Sequence, residues 1–213
     1  KSQNLELEQA NKQLEKATIV DKVTGVKSRR YLDIYIEQTS QLMNQMHQNL
    51  LPVQREMLPR LYILMVQVSD YSASSNSQLI NLTDLLLYTR NKDDLVVRWS
   101  DDTFAIIGYE KDNNASELAS RLSGRFSGVV GGETAMNMAY AFYPFNRENP
   151  LGLNWDQISV LVEQALGFTQ QDEQLAWLGL CGPKSTTFDY LTLMQQKSLS
   201  SLKEHVNVKS GLA

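Results

Sequence analysis

The residues that most often carry out chemistry are sparse in this chain. His47 and His205 are its only histidines, one inside a predicted helix and the other in a polar tail. Cys181 is the only cysteine, so no intrachain disulfide can form, which fits a reducing compartment. With no Cys/His spacing there is no zinc site to read, and a lone thiol without an activating base reads as a small apolar residue. The sequence holds no G-x-S-x-G elbow, no P-loop and no H-E-x-x-H. Trp99, Trp155 and Trp177 read as core or edge packing. What remains are two acidic runs, Asn91-Lys92-Asp93-Asp94 and Ser100-Asp101-Asp102-Thr103-Phe104.

Any site built on these must be positioned by the elements around them. Residues 1–17 are polar, lack Gly and Pro, and place Leu7, Ala10, Leu14 and Ala17 at alternating spacings of three and four. That is the seam of a coiled coil, although a solvated helix packed on its own domain fits the same two heptads. Ser28 predicts a helix N-cap with Asp33 near its positive end. The helix should run to about His47 and bury Leu32, Ile36, Leu42, Met43 and Met46. Pro52 and Pro59 bracket a linker-like interval. Residues 61–68, LYILMVQV, form a near-continuous apolar run, as in a buried central strand. Leu79, Ile80, Leu82, Leu86 and Leu87 mark an amphipathic helix. Residues 95–99 and 104–109 read as a hairpin, 115–126 as a helix and 134–145 as a strand. A further helix starts at Asn154 or Asp156 and ends near Gln170, and 174–180 form a last strand. From Lys184 the tail is polar, with one helical patch around Phe188–Leu202.

This order predicts an α+β fold: a ferredoxin-like palm with a central mixed, largely antiparallel sheet, flanking helices on one face and a leading coiled-coil-like helix. The expected division is a signalling helix at 1–18, a domain at 19–181 and a tail at 182–213. The formal net charge is −4 and no Lys/Arg run exceeds two residues, so nothing favours broad binding to nucleic acid or anionic lipid. No apolar run has membrane-spanning length. Lys1 opens within a helical pattern without an initiator Met, as expected for a piece of a longer protein.

Four segments, in order, resemble the GGDEF family of diguanylate cyclases. Asp21-Lys-Val-Thr-Gly25 through Arg29-Arg30-Tyr31 is similar to that family's Asp-x-Leu-Thr-Gly-Leu-x-Asn-Arg-Arg. Leu61 to Asp70 stands where its first strand and Asp-x-Asp-x-Phe-Lys would be. Asp94-Leu-Val-Val-Arg98-Trp-Ser-Asp-Asp-Thr-Phe104 is similar to Asp-x-Val-Ala-Arg-Tyr-Gly-Gly-Asp-Glu-Phe. Gln164-Ala-Leu-Gly-Phe stands where Asp-x-Ala-Leu-Tyr precedes the last strand. The resemblance covers about residues 18–180. It implies a domain whose active relatives join two GTP into cyclic di-GMP, each GTP bound in one half of a dimer with Mg²⁺.

Set against that chemistry, the chain departs at most of the positions required. Ser100 and Asp101 replace the two glycines that let the backbone approach the nucleotide. The resemblance makes Asp102 a weak metal-ligand candidate, while Thr103 lacks the usual carboxylate. Gln67-Val68-Ser69 aligns with the acidic end of the first strand, unless the register shifts to use Asp70. Asp84 reads as a helix-surface residue. The late Lys and Arg positions are Gln170 and Gln174, which cannot offset a triphosphate. In the product-inhibition motif Arg-x-x-Asp, Asn91 replaces the arginine and Asp94 is kept, with Arg90 one residue away. The resulting expectation is a degenerate, catalytically inactive member without a cofactor. It would be the cytoplasmic output or relay part of a sensor protein, including one anchored in an inner membrane. It would dimerise through the leading helix or bind an unidentified protein partner. The alternatives are an active, Mg²⁺-dependent cyclase and a nucleotide- or RNA-binding module.

Overall fold

The computed structural model describes residues 18–68, 76–111, 113–129, 136–185 and 187–212. The leading segment read as a coiled coil, together with Ser69 and Asp70, lies outside these residues. Among the described residues the order is β1 (Lys27–Ser28), α1 (Arg29–Gln48), α2 (Pro52–Arg55), β2 (Arg60–Val68), α3 (Asn76–Thr89), β3 (Leu95–Arg98), β4 (Thr103–Glu110) and α4 (Asn114–Val129). Then follow β5 (Met136–Tyr143), α5 (Trp155–Gln171), β6 (Leu175–Pro183), α6 (Tyr190–Met194), α7 (Leu199–His205) and β7 (Val206–Leu212). The strands form one mixed sheet in the order β1-β3-β4-β2-β5-β6-β7. Its middle, β2-α3-β3-β4-α4-β5, is the expected β-α-β-β-α-β unit, with β2 antiparallel to both β4 and β5. Helix α5 crosses over to β6, which lies parallel to β5.

Helices cover both faces of this sheet, not one. Leu61, Ile63 and Met65 of β2 point into a core shared with α1, α5 and the C-terminal helices. Tyr62, Leu64 and Val66 alternate to the other side, against α3 and α4. A run with no polar alternation is apolar on both faces because both are buried, so LYILMVQV itself calls for two layers of helix.

Helix α1 starts where Ser28 accepts a hydrogen bond from the Tyr31 N–H. It buries Leu32, Ile36, Met43 and His47, whereas Leu42 and Met46 are 59% and 44% exposed. At 100° per residue, positions 32, 36, 43 and 47 fall on one line, while 42 and 46 sit to its side. The buried His47 pairs its Nδ1 with the Met43 carbonyl at 2.7 Å, while its Nε2 is buried without a partner among the described residues. The interval between Pro52 and Pro59 contains the short helix α2.

The single helical patch expected in the tail divides into α6 and α7, capped separately by Asp189 and Ser198. Their Leu193 and Leu202, followed by Val206, are buried in the core that faces α5. Strand β7 then pairs antiparallel with β6 and forms one edge of the sheet.

Candidate functional site

The turn between β3 and β4 is set by the ladder beneath it. Arg98 pairs with Phe104, and the Trp99 and Ser100 N–H groups both donate to the Thr103 carbonyl, at 2.9 and 3.1 Å. Phe104 is fully buried, which fixes the hairpin to the sheet, and the Arg98 guanidinium lies 4.7 Å from its ring centroid. Arg98 also donates to the Asp101 carbonyl. Ser100 and Asp101 are exposed at the tip.

Register then decides what faces Asp102. Strand β2 pairs Gln67 with Thr103, and the Val68 N–H donates to the Asp102 carbonyl at 3.1 Å. The Gln67 amide thereby reaches Asp102 Oδ2 at 2.9 Å. The other carboxylate oxygen accepts from Thr103 Oγ1 at 2.8 Å and from Ser100 Oγ at 3.0 Å. Gln170, near the end of α5, donates to the Gln67 carbonyl oxygen. The result is a chain running Gln170 to Gln67 to Asp102. Burial raises the Asp102 pKa, but the donors Gln67, Thr103 and Ser100 outweigh it and hold the carboxyl below the usual range.

Four of the substituted positions, 67, 100, 103 and 170, therefore bond to one another or to Asp102. Gln174 is exposed in the turn before β6, where its N–H donates to Asp172. Asp84 is exposed on α3, as expected. A cavity of about 280 Å³ lies at this place, lined by Gln67, Trp99, Asp102, Thr103, Glu163 and Gln170. Trp99 and Glu163 went unnoticed as site residues in the sequence. The Trp99 indole donates to Glu163 at 2.8 Å, while the Arg29 guanidinium stacks on the ring 3.2 Å from its centroid. Only the three-dimensional crossing of β3, α1 and α5 brings these residues together.

Mg²⁺ needs near-octahedral oxygen ligands, chiefly carboxylates and waters. The group turned toward Asp102 Oδ2 is an amide N–H, which has no lone pair to offer, and the neighbouring hydroxyls also donate. Among the described residues, no three His, Cys, Asp or Glu side chains converge as metal ligands. The side chains gathered here do not fit a magnesium pair.

The second acidic run is also turned inward. Asp94 is buried and its Oδ2 accepts from the Tyr62 hydroxyl at 2.5 Å and from the Asn91 N–H at 2.9 Å. Arg90 donates to the carbonyls of Asn91, Lys92 and Asp94, and the Asn91 side chain accepts from Arg121. These groups staple the turn between α3 and β3. Gly108 lies against them, since a Cβ there would stand 2.1 Å from Asp94 Oδ1. Burial raises the Asp94 pKa, with the hydrogen bonds from Tyr62 and Asn91 opposing it. The folded protein thus holds this proton more tightly than the unfolded chain. Its contribution is fully present below the ordinary carboxylate range and declines as pH rises through the folded value.

Two substitutions test this account of Asp94. D94A, which leaves two buried donors without an acceptor, is expected to cost about 2–4 kcal/mol in urea unfolding at neutral pH. D94N keeps an oxygen for both donors and should stay within about 1 kcal/mol of the parent while flattening that pH dependence.

No family model matches the chain, and no curated protein matches it either. Solved structures do match. The isolated GGDEF domain of TpbB (YfiN) from Pseudomonas aeruginosa superposes with a TM-score of 0.50 and 16% identity, over 71% of this chain and 89% of that one. The diguanylate cyclase SiaD from the same organism, solved with its activator SiaC, gives 0.51 and 16%, over 80% and 65%. The coiled coil and GGDEF domain of DgcB from Caulobacter crescentus, in complex with c-di-GMP, gives 0.51 and 12%, over 80% and 90%. At such low identity the likeness is one of fold: this chain has the GGDEF-domain fold.

Proposed function

We propose that this chain is a signalling domain that keeps the GGDEF fold and has given up the cyclase reaction. In this reading it works through dimerisation or partner binding, as the cytoplasmic output or relay part of a bacterial sensor protein. One observation carries it: in the Gln170–Gln67–Asp102 chain two neutral amides, bonded to each other and to the lone carboxylate, fill the place where the resemblance requires metal and phosphate contacts. Phosphoryl transfer between two triphosphates depends on offsetting their negative charge. The charged side chains lining the cavity are Asp102 and Glu163, both acidic, while the Arg29 guanidinium is engaged on Trp99 and that of Arg98 on Phe104 and the Asp101 carbonyl.

In this reading the domain expected at 19–181 extends to Leu212, because α6, α7 and β7 complete its core and sheet, and the helix read at 1–18 brings two copies together. The precedent of an activator bound to SiaD and of a coiled coil joined to DgcB supports contacts of this kind. Among the described residues no helix is long and apolar enough to cross a membrane.

The deciding assay incubates the purified protein with GTP and either Mg²⁺ or Mn²⁺ and separates the products by chromatography. No cyclic di-GMP is expected at any protein concentration, and calorimetry with GTP should give no Mg²⁺-dependent heat. Accumulation of cyclic di-GMP above a no-protein blank defeats the reading.

A further inference from the structure

Strand β7 forms a border of the sheet, and among the described residues no strand pairs with its outer side. Its seven residues contain no Pro. The two register shifts in its ladder leave the extra residues, Ala176 and Cys181, on β6, so β7 itself runs without a bulge. Half of the main-chain N–H and C=O groups of a border strand point outward, and proteins normally guard them by shortening the strand, kinking it or setting charge on it. Here the one charge is Lys209, and its ammonium is drawn away to Asn113 Oδ1 at 2.7 Å. The border is thus long, regular and weakly guarded.

The two faces of β7 differ. Val206 and Val208 pack into the core that faces α5, and Leu212, on the same face, is 80% exposed. Lys209 and Gly211 take the other face, paired with Gly179 and Trp177 of β6. A Cβ at Gly211 would stand 2.1 Å from Trp177 Nε1, so only glycine lets the indole lie there. On this face a groove of about 580 Å³ is lined by Ser116, Glu117, Ser120 and Arg121 of α4 and by Trp177 and Lys209. Its two cations have neutral partners: Lys209 has the Asn113 amide, and Arg121 has the Asn91 amide and the Thr89 carbonyl. The nearby carboxylates are Glu117 and Glu110. Glu110 accepts from the Ala115 N–H, and neither forms an ion pair with Lys209. Residues 184–212 hold four lysines and two carboxylates in a chain of net charge −4, so the segment that ends in β7 is basic.

We propose that β7 is a docking edge for an extended segment of a partner protein in which acidic and apolar side chains alternate. Such a segment would add a further strand, its main chain bonding the outward N–H and C=O groups of β7. Cross-strand neighbours then set its chemistry. A carboxylate opposite Lys209 gains an opposite-charge pair in the groove that Arg121 also lines. An apolar side chain on the other face covers Val208 and Leu212. A second copy of this chain fits less well, because two β7 strands pairing antiparallel about Lys209 would set like charges against each other. The proposal rests on the partner-binding reading, and a failed titration would remove this edge while the loss of the cyclase reaction keeps its own assay.

The probe is a short fluorescein-labelled peptide of alternating valine and glutamate, capped at both ends and titrated with the whole chain while anisotropy is read. The references are a peptide of the same composition with valines and glutamates in two blocks, and one with lysine in place of glutamate. The alternating acidic peptide is expected to bind saturably, about fivefold or more tighter than either reference, and to slow hydrogen exchange at residues 206–212. K209E should weaken that binding by about fivefold or more. K22E makes the same charge change beside the opposite border of the sheet and should leave it unchanged. Should K209E fold poorly, the three peptides decide on the parent protein alone. No saturable binding, equal binding of the alternating and block peptides, equal loss in K209E and K22E, or binding without slower exchange at 206–212 overturns the edge. So does a dimer of the parent whose residues 206–212 are protected before any peptide is added, since a second copy would then be the occupant.

Discussion

Replacing Gln67 with aspartate is expected to lower the unfolding midpoint by about 3–10 °C in EDTA, with millimolar Mg²⁺ restoring most of the loss. In the parent the Gln67 amide donates to Asp102 Oδ2 and accepts from Gln170, so both of its ends are used. In Q67D the donor vanishes and a second carboxylate, one methylene shorter in reach, faces the first across the space the amide filled. Loss of the bond and like-charge repulsion together come to about 1–3 kcal/mol. Two carboxylates at that spacing are the arrangement a hard divalent cation would bridge, so metal should stabilise the variant while leaving the parent unaffected. Adding Q170K should extend the response to GTP. A Q67D protein as stable as its parent, or indifferent to Mg²⁺, shows that the amide network does not govern this site.

The second large effect concerns the tail. A chain cut after Pro183 is expected not to fold, giving far-ultraviolet circular dichroism of reduced strand and helix content and no cooperative melt. The cut removes Leu193, Leu202 and Val206, all buried, together with Phe188, Tyr190 and Leu199 packed beside them. Full burial of such a side chain contributes about 1.5–3 kcal/mol, and whole domains are stable by only about 5–15 kcal/mol. The paired strand β7 is lost as well. A truncated chain that melts cooperatively near the parent midpoint would refute this. A milder change, L202A, should cost about 2–5 kcal/mol by leaving a cavity.

These two cases mark what was legible in the amino-acid order. The central unit was readable because β2 is a near-continuous apolar run, broken by Gln67, and the β3–β4 hairpin has a short polar turn. That the same run implies helices on both faces was also readable, since an unalternating strand has no wet side. The tail was not, because β7 mixes Val206 and Val208 with Asn207, Lys209 and Ser210, and an edge strand carries only half of a strand's apolar signal. Leu42 and Met46 went astray through a helix phase error of one side-chain column.

At the site, sequence comparison showed that positions 67, 103 and 170 had changed type. It could not show that the replacements bond one another, because they come from β2, β4 and α5 and meet only through strand register and helix crossing. Asp94 is a similar case. Its partner Tyr62 lies 32 residues upstream, so a residue that reads as a leftover ligand is the acceptor that holds a turn to the sheet.

The order of the strands has a mechanical consequence. The short β1, which follows the N-terminal segment, lies at one border of the sheet, and β7, which reaches the C-terminal end, lies at the other. The pairings leave β1 and β7 pointing the same way, so the chain enters β1 and leaves β7 at opposite ends of the strands, and tension between those points would cross the sheet diagonally, partly along the strands. A domain pulled between those two points would therefore give way first at β1, whose ladder is two residues long, well before the longer ladder of β7.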